Sequence, residues 1–270
     1  MVLKRYLKYI ILIGLLVTIG YLGITGYLST SRETVSVSRP IMAIVIDDFG
    51  GADCHGVEQL LTLDRPITAA VMPNLTNSLS HSEMAHKNGH EVILHQPMEP
   101  VKGKLSWLGP GAITSAMTQD EIKETFINNL DTVPHAIGFN NHTGSKITSQ
   151  RDKILPMLEV AKDKGLYVLD SRTSMKSQIM PVAKTLGVAS VKRDIFLDDV
   201  KSDQHISKQF RKACKVAHKQ GYAIVIGHVG QGGNVTARSV KAAIPMIEKE
   251  GIKIVPLSEV VQRNSDKNSI

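Results

Sequence analysis

The sequence predicts an α/β fold of parallel strands alternating with helices, closing as a (β/α) barrel, behind one N-terminal transmembrane helix. Three observations predict it. Short apolar, β-branched runs recur along the chain, bounded by Gly, Pro or Asp. Longer amphipathic segments with helix start and stop signals lie between them. A charge-free apolar stretch stands near the N-terminus, preceded by basic residues.

That stretch, residues 9–28, follows Lys4, Arg5 and Lys8. Twenty residues at about 1.5 Å each span roughly 30 Å, the thickness of a bilayer's hydrocarbon core. No A-x-A-like cleavage site precedes Ser29-Thr30-Ser31-Arg32, so an uncleaved anchor is favoured over a cleaved signal peptide. A buried core helix would not be apolar all round with basic residues only on its N-terminal flank. Basic flanks stay on the cytoplasmic side, which places the rest of the chain outside. Residues 1–30 therefore read as the membrane segment and 31–39 as a polar stalk. Residues 40–262 suffice for one domain with a complete core, and 263–270 read as a polar tail.

The net charge of +7 belongs partly to the anchor, leaving a mildly basic domain suited to an anionic wall or membrane surface, or simply to a solvated lysine-rich face. Aromatic residues are scarce and no basic run is interleaved with them, which argues against a nucleic-acid partner. Cys54 and Cys214 could pair in an oxidising compartment or stand as free thiols. Neither sits in a nucleophile setting.

Seven runs read as buried strands: 42–46, 67–71, 92–94, 136–139, 167–169, 223–226 and 253–255. Between them, Thr118-Gln119-Asp120-Glu121 forms a capping box. Ser149 stands as N-cap of a helix over 150–164 that Gly165 ends, and Gly251 closes another over 234–250. Repeated strand–helix order implies a parallel sheet, which could close or stay open; a barrel is favoured. Either form binds ligands at the C-terminal strand ends.

Polar residues should then gather just after the strands, and they do. The first strand leads into Asp47-Asp48-Phe49-Gly50 and the third into His95-Gln96-Pro97-Met98-Glu99-Pro100. The fourth leads into Asn140-Asn141-His142-Thr143-Gly144-Ser145, the fifth into Asp170-Ser171-Arg172-Thr173, and a later one into His228. Singly, a carboxylate pair reads equally as a helix N-cap and a lone His as a structural residue. Together they are harder to dismiss, because buried charge costs several kcal/mol unless paired or metal-bound. A divalent metal on Asp and His ligands would remove that cost. Three protein ligands plus an open position is the usual catalytic zinc arrangement.

These motifs carry a resemblance. Residues 44–48 followed by 89–95 are similar to the first two motifs of the NodB-type polysaccharide deacetylases, the carbohydrate esterase 4 superfamily. The Asp-Asp-x-Gly, His-x-Pro-Met-Glu-Pro and Asn-Asn-His-x-Gly-Ser motifs resemble its divergent polysaccharide deacetylase branch, over residues 40–261. The resemblance implies a distorted seven-stranded barrel, a catalytic base at Asp47, metal ligands at Asp48 and His95, and a general acid at His228. The sequence departs from the NodB pattern where Glu99 replaces its second motif histidine, and where an Arg-x-Pro-Tyr motif is missing. His142 is expected to supply the missing imidazole, giving Asp48, His95 and His142, most simply on Zn2+; Glu99 is the alternative ligand. Asp170 could orient His228 and Arg172 could bind an anionic or hydroxyl-rich substrate, or the two could form a local turn. Trp107 could stack on a sugar or anchor its loop. His55, His81, His86, His135, His205 and His218 are expected to be mostly exposed. The implied activity is removal of N-acetyl groups from a cell-envelope glycan. A silent domain binding glycan or protein, or a hydrolase of another amide or ester, stands beside it.

Overall fold

The computed structural model describes residues 39–268, together with residues 17, 18 and 21. Nearly all of the expected membrane helix (1–30) and of the stalk (31–39) lies outside the described residues. Among those described, no helix is long and apolar enough to cross a membrane.

One sheet organises residues 39–268, every pairing in it parallel. Its strands are β1 (Ile41–Phe49), β2 (Thr68–Val71), β3 (Glu91–Met98), β4 (Ala136–Thr143), β5 (Tyr167–Asp170), β6 (Ser190–Lys192), β7 (Ile195–Phe196), β8 (Tyr222–His228) and β9 (Lys253–Val255). The helices are α1 (Val57–Leu61), α2 (Ser78–Lys87), α3 (Gln119–Asp131), α4 (Arg151–Asp163), α5 (Ile179–Leu186), α6 (Asp203–Gln220), α7 (Gly233–Lys249) and α8 (Leu257–Asn268). The strands lie in the order β6-β5-β4-β3-β2-β1-β8-β7, with β9 also paired to β1. β1 is the hub. It runs beside β8 through seven registered pairs, from Ile41↔Tyr222 to Asp47↔His228. β9 pairs with its first half and β2 with its second.

Nine strands replace the seven expected. The two additions, β6 and β7, are too short to show as apolar runs. They stand at opposite ends of the row, yet only Arg193 and Asp194 separate them. Three peptide steps reach at most about 11 Å, so the sheet must curl until its ends nearly meet. The amide of Arg193 donates to Asp170 O at 3.0 Å on one side, and that of Asp194 to Ile224 O at 3.0 Å on the other. β6 and β7 do not pair with each other, so the barrel is incomplete at this seam.

The strands are apolar on both faces, as parallel sheets covered by helices require. Met42, Ile44 and Ile46 enter one buried cluster, while Ile41, Ala43 and Val45 enter a second under α8. The capping box of α3 forms as expected, with Thr118 and Glu121 satisfying each other's amides. At α4 the expectation fails by one residue. Gln150 holds the N-cap position, and the Ser149 hydroxyl donates backwards to Lys146 O. Cys54 is exposed and Cys214 buried, and both are free thiols.

Gly144 follows β4 at φ 85°, and a Cβ there would lie 2.7 Å from Met98 Cβ. Gly144→Ala therefore combines a left-handed backbone with a clash against β3. We expect a loss of about 1–3 kcal/mol, read as a lower urea midpoint at unchanged m-value. An unchanged midpoint would mean that the loop after β4 tolerates a different path.

Candidate metal centre and its proton-transfer groups

Four strands deliver the predicted acids and imidazoles to one cavity of about 260 Å³ at their C-terminal ends. Asp47, Asp48, His95, His142 and His228 are within the strands, not just beyond them as the sequence suggested. The adjacent Asp47 and Asp48 both reach the site because β1 breaks register between Ile46 and Phe49. A regular strand points successive side chains to opposite faces. Asp48 takes φ 69°, and Thr143 and Arg172 on the cavity wall are left-handed too, at 53° and 55°. Such strain outside glycine concentrates at functional sites.

His95 Nε2, His142 Nδ1 and Asp48 Oδ1 form a triangle. His95 Nε2 lies 3.1 Å from His142 Nδ1 and 3.2 Å from Asp48 Oδ1, and His142 Nδ1 lies 3.1 Å from the same oxygen. The protonation logic follows from Asn140. Its amide nitrogen donates to Asp47 Oδ1 at 2.8 Å, which turns its carbonyl oxygen toward His95 Nδ1 at 2.6 Å. A carbonyl only accepts, so His95 Nδ1 carries the proton and neutral His95 presents the Nε2 lone pair to the triangle. Asp48 Oδ1 is buried and makes no well-formed hydrogen bond despite its two close nitrogens. One orphaned carboxylate oxygen converging with two imidazole nitrogens fits a divalent cation with N and O preferences. The Asn140 bond to the ligand's far nitrogen is the usual supporting contact for such a His.

The electrostatics agree. Burial raises the Asp48 carboxyl, but the two imidazoles outweigh it and hold the group well below its usual range. Asp47 is 2% exposed, and its burial outweighs His95 and His228 to raise its pKa. Burial lowers His95, but Asp47 and then Asp48 outweigh it and push the group up to about 9. Without a cation, His95 is the group that takes up charge to neutralise the acids.

Glu99 is not at this triangle. Its carboxylate accepts from Lys146 Nζ at 2.6 Å and from Ser115 N at 2.7 Å, so the chain has used it to fix the loop after β3. The role expected for Asp170 needs correction. Its Oδ1 accepts from the amide of Arg172 at 2.8 Å, forming the turn after β5, and it makes no bond to His228. The partner of His228 is Asp198, with Oδ1 at 2.8 Å from His228 Nδ1 and Oδ2 accepting from the His228 amide at 2.9 Å. Lys201 and Thr236 also donate to Asp198, at 2.8 and 2.7 Å. The Asp198 side chain is wholly buried. Burial raises it, yet His228 first, then Lys201 and Thr236, bring it down to about 2. Burial lowers His228, while Asp198 and then Asp47 more than restore it and leave its pKa raised. Sequence reading missed Asp198 because it follows the two-residue β7, which has no apolar run to announce it.

His81 is another miss: it is buried, and its Nδ1 accepts the Gly50 amide at 2.9 Å, bracing the turn after β1. His55, His86, His135 and His218 are exposed as expected, and His205 is half-buried. Trp107 is 71% exposed and meets Lys104, whose ammonium sits 5.6 Å from the ring centre.

This strand order, with acids and imidazoles at the strand ends, defines a parallel α/β protein of the NodB-like deacetylase type. The model of the divergent polysaccharide deacetylases matches residues 44–261, and the chain belongs to that family. It is 36% identical over 198 residues to the uncharacterized protein YibQ of Escherichia coli K12, covering 72% of this chain and 61% of that one. It thus spans about three-fifths of that relative's length. An uncharacterized protein of Haemophilus influenzae is 33% identical over 195 residues, covering 72% and 68%. Among solved structures, an uncharacterized protein from Agrobacterium tumefaciens C58 shares the fold at TM-score 0.76 and 20% identity, over 85% of this chain and 92% of that one. The Xyl-CE4 domain of a multidomain xylanase from the hindgut metagenome of Trinervitermes trinervoides aligns at TM-score 0.50 and 13% identity, over 84% and 92%.

The Asp198 carboxyl sits near 2 when folded, below its ordinary 3.8, so it contributes stability above about pH 4 that fades as pH falls toward 2. That contribution is on the order of 2 kcal/mol. Asp198→Asn should unfold more easily than wild type at pH 5, and the gap should narrow between pH 4 and 2. A gap independent of pH over that window would mean that Asp198 acts through shape alone.

Proposed function

We propose that the chain is a metal-dependent hydrolase that removes N-acetyl groups from a cell-envelope glycan. The observation that carries this reading is the buried, orphaned Asp48 oxygen facing two imidazole nitrogens, with a second acid and a third imidazole on the same cavity. Family membership supports the substrate class.

Asp48, His95 and His142 would hold the cation, which when bound polarises an acyl oxygen and eases ionisation of water. Asp47 is the proton acceptor. Asn140 occupies its Oδ1, while Oδ2 lies 3.7 Å from His95 Nε2, beside the triangle. As the water oxygen bonds to the acetamide carbon, its proton passes to Asp47. His228 serves the other end of the reaction. Asp198 fixes the proton on Nδ1 and leaves Nε2 to protonate the nitrogen as the C–N bond breaks, giving acetate and a free amine. Asp198 is a positioning residue. The apolar stretch 9–28 would tether the domain at the outer membrane face.

The test begins with metal content of the full chain, then acetate release from N-acetylated oligosaccharides. We expect about one zinc per chain, with binding lost in His95→Ala and His142→Ala. Asn140→Ala should weaken metal binding by about 10–100-fold. Asp47→Asn should keep the metal and lose about 10²–10⁴-fold in rate. A chain that takes up no metal when zinc is supplied would overturn this mechanism and favour a glycan- or protein-binding domain.

A further inference from the structure

Two arginines, Arg172 and Arg193, line the same cavity as the triangle. Arg193 comes from the barrel seam. Its Nε donates to Ser171 O at 2.8 Å, its Nη2 reaches Arg172 O at 3.4 Å, and its guanidinium carbon lies 5.0 Å from the centre of the Phe196 ring. The exposed Arg172 guanidinium reaches the Met175 sulfur, at 3.9 Å. Among the described residues no carboxylate oxygen lies within 4.0 Å of either guanidinium. Asp47, Asp170 and Asp194 act on Arg193 only from farther away. Burial and the neighbouring Arg172 together lower the Arg193 pKa.

Two neighbouring cations lining one cavity, with no carboxylate in direct contact, attract an anion. Here backbone bonds hold Arg193 in place. Arg172 is presented by a left-handed backbone (φ 55°), which glycine would adopt at no steric cost. Its amide is pinned by Asp170, and the amide of Ser171 is pinned by Asn141 Oδ1 at 3.0 Å. The β4 motif thus builds the loop that displays Arg172.

We infer that Arg172 and Arg193 form a carboxylate-binding subsite, so that the preferred substrate is an acidic N-acetylated sugar. Guanidinium forks match the two oxygens of a planar carboxylate. The subsite and the triangle share one cavity, so the carboxylate is on the sugar bearing the acetamide or on the sugar linked to it. This inference rests on the deacetylase reading for its acetamide and on the arginines alone for its anion.

The experiment compares an N-acetylated oligosaccharide bearing a carboxylate with its neutral methyl ester, using the full chain. Acetate release and calorimetric binding are both measured. The acid should be favoured over the ester by roughly 10–100-fold, as charge-assisted hydrogen bonds predict. That ratio should fall toward one in Arg172→Gln, and Arg193→Lys, which keeps the charge but loses the fork, should lower it in part. Equal kcat/KM on acid and ester would overturn the subsite while leaving deacetylation standing. Should neither substrate release acetate, tighter binding of the acid that disappears in Arg172→Gln would support the subsite and sink deacetylation. Equal affinities, or no binding of either, would overturn the subsite.

Discussion

The ladder between β1 and β8 is the constraint on which the site depends. Its register places Asp47 directly opposite His228, so the proposed proton acceptor and donor are set by seven consecutive backbone pairs. A slip of one residue would send each side chain to the other face. The irregularity at Asp48 comes only after that ladder has fixed Asp47. The bulge then adds a second acid to the same cavity without disturbing the first.

Charge burial shapes what surrounds it. Asp47, His95 and Asp198 are almost inaccessible to water, and each must be answered by a partner supplied from another strand or helix. Asn140 answers Asp47 and His95, and Lys201 and Thr236 answer Asp198. The pattern is an organised division of labour: β3 and β4 supply imidazoles, β1 supplies the acids, and the segment after β7 orients the imidazole of β8.

Much of this was legible in the sequence. Seven of the strands announce themselves as apolar runs, and polar motifs at their ends locate the cavity. His142 was favoured over Glu99 from the sequence, but the Lys146 bond that engages Glu99 was not legible there. What stayed hidden belongs to the seam. β7 is two residues long, so nothing in the periodicity places Arg193 beside Arg172 or Asp198 beneath His228. Asp170 drew attention because it ends a clear strand, yet its carboxylate is spent on its own turn.

Asn140 ties two halves of the chemistry together. One end of its amide faces the acid that would accept a proton, and the other faces an imidazole that would hold the cation. Only a side chain that donates and accepts at the same terminus can do both. Aspartate at this position would repel Asp47, and leucine would leave both neighbours unanswered. A substitution at Asn140 therefore alters the basicity of Asp47 and the tautomer of His95 together.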